Sequence, residues 1–441
     1  MKSKGKYIIA VVGILGILGI LAAVLWRDRE TEYGDTYVEG VDSQYLYQYG
    51  MVQANSGIQR GNGVVYVAVG NFLYYMDEKT HTILPLCNRV DCMHDKEETE
   101  EKRKECMAYM EDGMGLSYND GWLYYTYWGT DYENTASIGA EKSVLYRIRD
   151  DGSKKEMITE WKEGGLPEWL IHRGCIYYIK QTYEIMDKDA DTIDSQTADE
   201  EDLLDYQSMT EEEELADYQF MEEKVRTIHQ VMYVDLNDPL KTEHLIYQSE
   251  EGKTMFGASF LRAYGNHVYF NVTYVTEDDY QSENRLYTYD IQTEELTLLG
   301  YSMHVIGFQK DQLLYLGGNG EEGTSLYRSG LRGENPEILC PDIPEGVQVM
   351  SDDKYIYKSN LLFAMLGFID EEPYQVKCDS EGKELMQFSY PIYTMMDPML
   401  GSSDCMYYKE ENEKGFTVMH WDKETVDAEG VAVFQEYRYE Y

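Results

Sequence analysis

Seven short runs, each pairing an apolar residue with a tyrosine, recur along this chain and set its fold class. They are VVYVAV around Tyr66, WLYYTY around Tyr124, CIYYIK around Tyr177, HVYFNV around Tyr269, LLYLGG around Tyr315, YIYKSN around Tyr357 and CMYYKE around Tyr407. Each follows a turn-like stretch such as RGNG, SYNDG or IHRG, rich in residues that accept turn geometry. A second β-type run comes next, as in SVLYRIRDDGSKKEMI and NRLYTYDIQTEELTLL. Strand, polar turn and strand in that order read as a hairpin. With the strand ahead of the tyrosine run, each unit holds four strands. Four strands in about 40–50 residues is the repeat of a β-propeller blade. One blade cannot bury both its faces, so the units must stack around an axis. The expectation is an all-β, seven-bladed β-propeller over residues 55–441, preceded by a single N-terminal transmembrane helix.

The tyrosine spacings are 58, 53, 92, 46, 42 and 50 residues, and the two long ones mark insertions. The first holds a Cys/His loop at 87–106. The second holds a segment at about 183–227, and its residues 184–223 carry 17 acidic residues and one lysine. In a blade whose strands a to d run outward, the b–c and d–a connections share one face, and the a–b and c–d connections share the other. Residues 81–86 read as strand d of blade 1 and 114–119 as strand a of blade 2, so the Cys/His loop is a d–a connection. The acidic segment lies between CIYYIK and HQVMYVD, as the b–c connection of blade 3. Both insertions are expected on one face. Long loops on a rigid scaffold usually carry function, which makes that face the expected binding surface.

The N-terminus points to a membrane. Lys2, Lys4 and Lys6 precede an unbroken apolar run at 7–26. About 20 residues at about 1.5 Å each span a bilayer core. No small-x-small cleavage site is evident around Ala22 and Ala23, and no cysteine ends the run for lipid attachment. A retained signal anchor follows, with the lysines cytoplasmic and the chain after Arg29 outside. Residues 1–29 are then tip and anchor. Residues 30–54 form a linker or closure strand, in which TYVEGVDSQYLYQYG adds a strand to the last blade beside VAVFQEY. The expected location is the cell membrane, single-pass, with the propeller extracytoplasmic.

The net charge of −44 argues against nucleic acid, whose phosphates need a basic surface. Cations and basic peptides suit this field, although the same charge also serves plain solubility. Cys175, Cys340, Cys378 and Cys405 are scattered through strand-like stretches and read as small core residues. Only Cys87-x4-Cys92-x-His94-x11-Cys106 clusters. Three thiolates and an imidazole can complete a tetrahedral zinc shell. A disulfide, Cys87–Cys92 or Cys92–Cys106, equally fits an exported compartment, and free thiols are the third alternative. The segment between His94 and Cys106 is rich in Lys and Glu and has no core of its own, so a cross-link or metal is what would pin it.

Other motifs carry less. Gly318-x-Gly320-x-x-Gly323 opens no helix and so lacks the mechanism of a dinucleotide site. Asp187, Asp189 and Asp191 have calcium-loop spacing, but Thr192 stands where the turn glycine is needed and Ala198 where the bidentate glutamate is. The aromatics of TYWGTDYEN, at 126–134, suit either ligand stacking or blade packing.

The pattern PLCNRVDCMH followed by CMAY, after LYYMDEKTHT, resembles an uncharacterised group of exported, Tyr-rich β-propeller proteins from anaerobic Gram-positive gut bacteria. Leu86-Cys87, Cys92-Met93-His94 and Cys106-Met107-Ala108 carry the match. The repeats are also similar to TolB-like propellers and related domains of unknown function. The membrane anchor, in place of a lipobox cysteine, and the acidic insertion depart from that pattern. The resemblance implies a fold and an exported location, and no particular activity. An anaerobic niche would shift the cysteine balance from disulfide toward metal. The function expected is a ligand- or protein-binding module at the cell surface. The alternatives are a cell-wall polysaccharide-active enzyme and a structural scaffold of an envelope complex. No paired carboxylate stands out among 82 acidic residues to favour the enzyme.

Overall fold

The seven tyrosine runs are all second strands. The computed structural model describes residues 33–43, 48–49, 57–110, 113–130, 141–162, 165–185, 225–249, 254–275, 282–318, 323–344, 346–360, 374–387, 399–401, 404–426 and 432–441. Tyr66 lies in Val64–Val69, Tyr124 in Trp122–Thr130, Tyr177 in Cys175–Ile185 and Tyr269 in His267–Val275. Tyr315 lies in Gln312–Gly317, Tyr357 in Ile356–Ser359 and Tyr407 in Cys405–Asn412. Each is strand b of its own antiparallel sheet, and strands pair in chain order a-b-c-d. The blades cover residues 58–85, 113–161, 165–248, 254–301, 303–343, 348–387 and 399–440. The predicted anchor at 7–26 lies outside the described residues, among which no helix is long and apolar enough to cross a membrane.

Why tyrosine recurs at this position is a matter of its two ends. The ring is buried between blades in all seven cases. The hydroxyl then needs a partner, since an unpaired buried polar group costs about 1–3 kcal/mol. In Tyr66, Tyr269 and Tyr407 it finds one on the c–d turn of the next blade, whereas Tyr357 donates to Asp352 Oδ2 in the a–b turn of its own blade at 2.7 Å. Tyr66 donates to Asp150 O at 3.5 Å and Tyr269 to Leu331 O at 2.7 Å. Tyr407 of blade 7 donates to Glu78 Oε1 of blade 1 at 2.9 Å, so the same contact closes the ring.

The closure strand is not where the sequence placed it. Gln48–Tyr49 pairs with Met399–Gly401, the innermost strand of blade 7. VAVFQEY lies at the opposite edge, within Ala432–Glu440. The reason is the route of the chain. Residues 33–43 dock near the axis, across the a–b turns of blades 3 and 4, and a strand rising from there meets strand a first. All four blade strands of blade 7 therefore come from the C-terminal part of the chain. Side chains complete the joint to blade 1. Lys409 Nζ donates to Ala68 O at 2.7 Å, and the rings of Tyr74 and Phe416 lie 4.8 Å apart.

The docked segment is held tightly. Arg173 Nε binds Asp42 Oδ1 at 2.7 Å, and both side chains are buried. Arg173 also donates to the carbonyls of Gly34 at 3.0 Å and Thr36 at 3.2 Å. Ser43 N donates to His172 Nδ1 at 2.9 Å, so the ring proton sits on Nε2, 2.8 Å from Gly265 O. Gln292, in the c–d turn of blade 4, donates to Tyr33 O at 2.9 Å. Gly265 has φ +57°, and a Cβ there would collide with Asp35 O, so glycine alone admits the segment.

Candidate metal centre

Cys87 comes two residues after Ile83–Pro85, strand d of blade 1. Its backbone is pressed against the c–d turn of blade 2 at Gly152. A Cβ on Gly152, whose φ is +69°, would lie 2.8 Å from Leu86 O and 2.9 Å from Cys87 N. The chain then turns through Cys92 into a short 3-10 turn, His94–Lys96. His94 adopts φ +60°, an uncommon conformation for a non-glycine residue, and its N–H donates to Cys92 Sγ at 3.4 Å. One helical turn follows, α1 (Glu100–Lys104), with the Thr99 side chain accepting from Lys102 N. Arg89 reaches Glu105 O and Arg103 reaches Glu97 O, both at 2.9 Å, cross-tying the polar stretch. The loop returns to the core at Cys106, Ala108 and Met110, which are buried. Leu73 N donates to Ala108 O and Met110 N to Asn71 O, each at 2.8 Å.

This path gathers the four residues the sequence singled out. One ligand atom from each of Cys87, Cys92, His94 and Cys106 lies within 4.8 Å of every other. His94 Nδ1 is 3.5 Å from Cys106 Sγ. A tetrahedral zinc with bonds of about 2.3 Å to sulfur and about 2.0 Å to nitrogen has S···S edges of about 3.8 Å and S···N edges of about 3.5 Å. The His94–Cys106 edge already has that length, and a contraction of about 1 Å would bring in the widest pair. A disulfide staple would need only two sulfurs and would leave the imidazole elsewhere, whereas His94 faces the sulfurs. All the cysteines are free thiols. Burial pushes the Cys106 thiol well above its usual range, with the neighbouring Cys87 and Cys92 adding to the effect. A bound dication reverses that balance and deprotonates a coordinating thiol.

The remaining cysteines lie elsewhere. Cys378 and Cys405 are buried, and Cys175 and Cys340 are half-buried on other blades. Asp187, Asp189 and Asp191 fall outside the described residues, as does Gly320 between the strands ending at Gly317 and starting at Thr324. Of TYWGTDYEN, Thr126–Thr130 belongs to strand b, where Thr126 Oγ1 accepts from Trp169 Nε1 at 3.1 Å as blade packing. The rest lies outside the described residues.

Asp95, next to His94, carries no signal of its own in the sequence. Its carboxylate accepts from Tyr74 of blade 1 at 3.2 Å and from Tyr439 of blade 7 at 2.9 Å. The Cys/His loop therefore bridges two blades. It also walls a cleft of about 590 Å³ that opens at the b–c turn of blade 1. Phe72, Tyr74 and Tyr109 line it from one side and Asp95, Glu100 and Arg103 from the loop. A volume of that size is within the range of small-ligand sites, about 300–1,000 Å³.

No family model matches the chain, and no curated protein does. Among solved structures it is similar to prolyl oligopeptidase B from Galerina marginata, at 9% identity and TM-score 0.47, covering 90% of this chain and 52% of that one. Uncomplexed Pyrococcus horikoshii acylaminoacyl peptidase gives 12% identity and TM-score 0.46, with 88% and 52% covered. The β-propeller domain of the Trilobed protease from Pyrococcus furiosus gives 10% identity and TM-score 0.42, with 89% and 97% covered. The chain spans about half the length of the two peptidases. The seven sheets, and not these distant likenesses, carry the fold, which is consistent with a binding module.

Proposed function

We propose that this chain is a membrane-anchored, extracytoplasmic propeller that binds a ligand or protein partner at the cell surface, with a zinc ion in its Cys/His loop. The observation that carries the reading is that one loop does two things. It brings Cys87, Cys92, His94 and Cys106 within ligand distance of one another, and it builds a wall of the cleft. The polar stretch between His94 and Cys106 has no buried residue in its turn or in α1 to hold it. A metal supplies the missing rigidity, because its binding energy is folding energy for the segment it ties. The ion is structural in this reading, since four protein ligands leave no open position for a substrate. The cleft then offers the exposed Tyr441 ring and charges of both signs to a cell-wall fragment or peptide.

The test uses the full-length chain purified anaerobically in detergent. Elemental analysis should find about one zinc per chain, as a single four-ligand site requires. Binding of cell-wall fragments and peptides is then measured by calorimetry. Saturable binding without turnover supports the module, turnover of a fragment would replace it with an enzyme, and neither leaves a scaffold. Absence of bound zinc with oxidised cysteines would return the loop to a disulfide staple.

A further inference from the structure

We propose that the propeller stands over the membrane on the face of its a–b and c–d turns, and turns the Cys/His loop and its cleft away from the bilayer. This rests on the reading of residues 7–26 as an anchor, and adds to it the orientation of the disc.

The argument is one of reach. The N-terminal segment docks on a single face. Arg173 lies in the a–b turn of blade 3, Gly265 in that of blade 4, and Gln292 in the c–d turn of blade 4. Tyr33 is the first described residue, and it is held there twice: its carbonyl accepts from Gln292, and its ring lies 5.3 Å from the Arg173 guanidinium. Between the end of the apolar run at Trp26 and Tyr33 lie residues 27–32. Seven Cα steps at about 3.5 Å each reach about 25 Å at full extension.

That tether sets the docked face on the membrane with length to spare and opposes the other orientation. Four strands spaced about 4.8 Å apart carry each blade roughly 15–20 Å out from the axis, and strands of six to nine residues make the disc about 20–30 Å deep. To set the other face on the membrane, the tether would have to run from Tyr33, between the a–b turn of blade 3 and the c–d turn of blade 4, over the rim and down the full depth. That path is about 25–40 Å, which meets or exceeds the tether even at full extension, whereas the docked face is within reach of a slack chain. The buried Asp42–Arg173 pair resists release of the segment, because separating buried partners leaves an uncompensated charge.

The face turned outward carries the d–a and b–c connections. These include the Cys/His loop, the strand ends at Ile185 and Val225 that flank the acidic stretch of the sequence, and the cleft that Tyr441 also lines. A partner for the cleft would approach from the wall side and not along the bilayer surface.

The test places one fluorescent amino acid in the full-length chain, reconstituted in vesicles with an energy acceptor on the lipid headgroups. The sites are Lys310, in the a–b turn of blade 5, and Glu413, in the b–c turn of blade 7; both are exposed. They differ in height by about one strand length, roughly 25 Å, so transfer from position 310 should exceed that from 413 by about twofold or more. Equal or reversed transfer on protein that floats with the vesicles overturns the orientation and leaves the anchor standing. Protein that does not float, with no transfer from either site, overturns the anchor and the orientation with it. In Gly265→Ala, whose Cβ displaces the docked segment, the asymmetry should shrink. Its persistence would show that the segment does not set the orientation.

Discussion

Asp42 and Arg173 form an ion pair at 2.7 Å in which the carboxylate is fully buried and the guanidinium nearly so, although 131 residues separate them in the chain. Removing one member of such a pair costs about 3–5 kcal/mol, because the other charge stays buried. Asp42→Ala should therefore lower the urea midpoint substantially, and Asp42→Leu combined with Arg173→Met should regain most of the loss. A single-variant cost under about 1 kcal/mol would mean the segment is a loose tail instead of a structural part.

His172 lies in the same joint and gives it a pH dependence. Burial pushes its pKa down to about 4, partly opposed by Asp42. The neutral ring is the one that accepts from Ser43 N. The unfolded chain titrates near 6.5, so below that pH it binds a proton the folded chain refuses. The stabilisation is complete above about pH 6.5 and falls by up to about 3 kcal/mol as pH drops to about 4. Proteolysis of residues 33–43 should speed up between pH 6.5 and 4.5 in the parent and lose that dependence in His172→Gln. A flat profile in the parent would refute the role.

Cys106→Ser should weaken zinc binding by more than the ~10–100-fold that outer-shell partners are worth, and should raise hydrogen exchange across residues 94–106. Cys378→Ser, buried in blade 6, should leave the metal content unchanged. Equal zinc in both variants would place the ion elsewhere.

Tyr269→Phe keeps the buried ring and removes the hydroxyl that meets Leu331 O at 2.7 Å. A cost of about 1–2 kcal/mol is expected, the worth of a hydrogen bond whose acceptor is left buried. No change in thermal or urea stability would mean that these tyrosines serve only as rings.

The blades were legible because a repeat states the same instruction seven times. An apolar-Tyr run after a turn can only be strand b if every copy is to pack alike. The Cys/His loop was legible as a cluster, since four candidate ligands, three cysteines and a histidine, fall within 20 residues. What escaped the sequence occurs once and acts at a distance. IHRG was read as a turn, and nothing in it shows that His172 and Arg173 would receive Ser43 and Asp42. The closure strand was put on the wrong edge of blade 7 because both edges are strand-like, and only the docked segment fixes which one it meets. Asp95 is one acid among 82 until Tyr74 and Tyr439 are seen on either side of it.

A ring of repeats is only as strong as its clasp. Neighbouring blades are otherwise joined by continuous backbone, but blades 7 and 1 meet through the two-residue ladder at Gln48–Tyr49 and a set of side chains. Under heat or tension the hoop is expected to part there first. Asp95 spans that joint from within the Cys/His loop, so a zinc ion in the loop would act as a rivet at the weakest link. The toughness of the disc would then follow the metal supply around the cell.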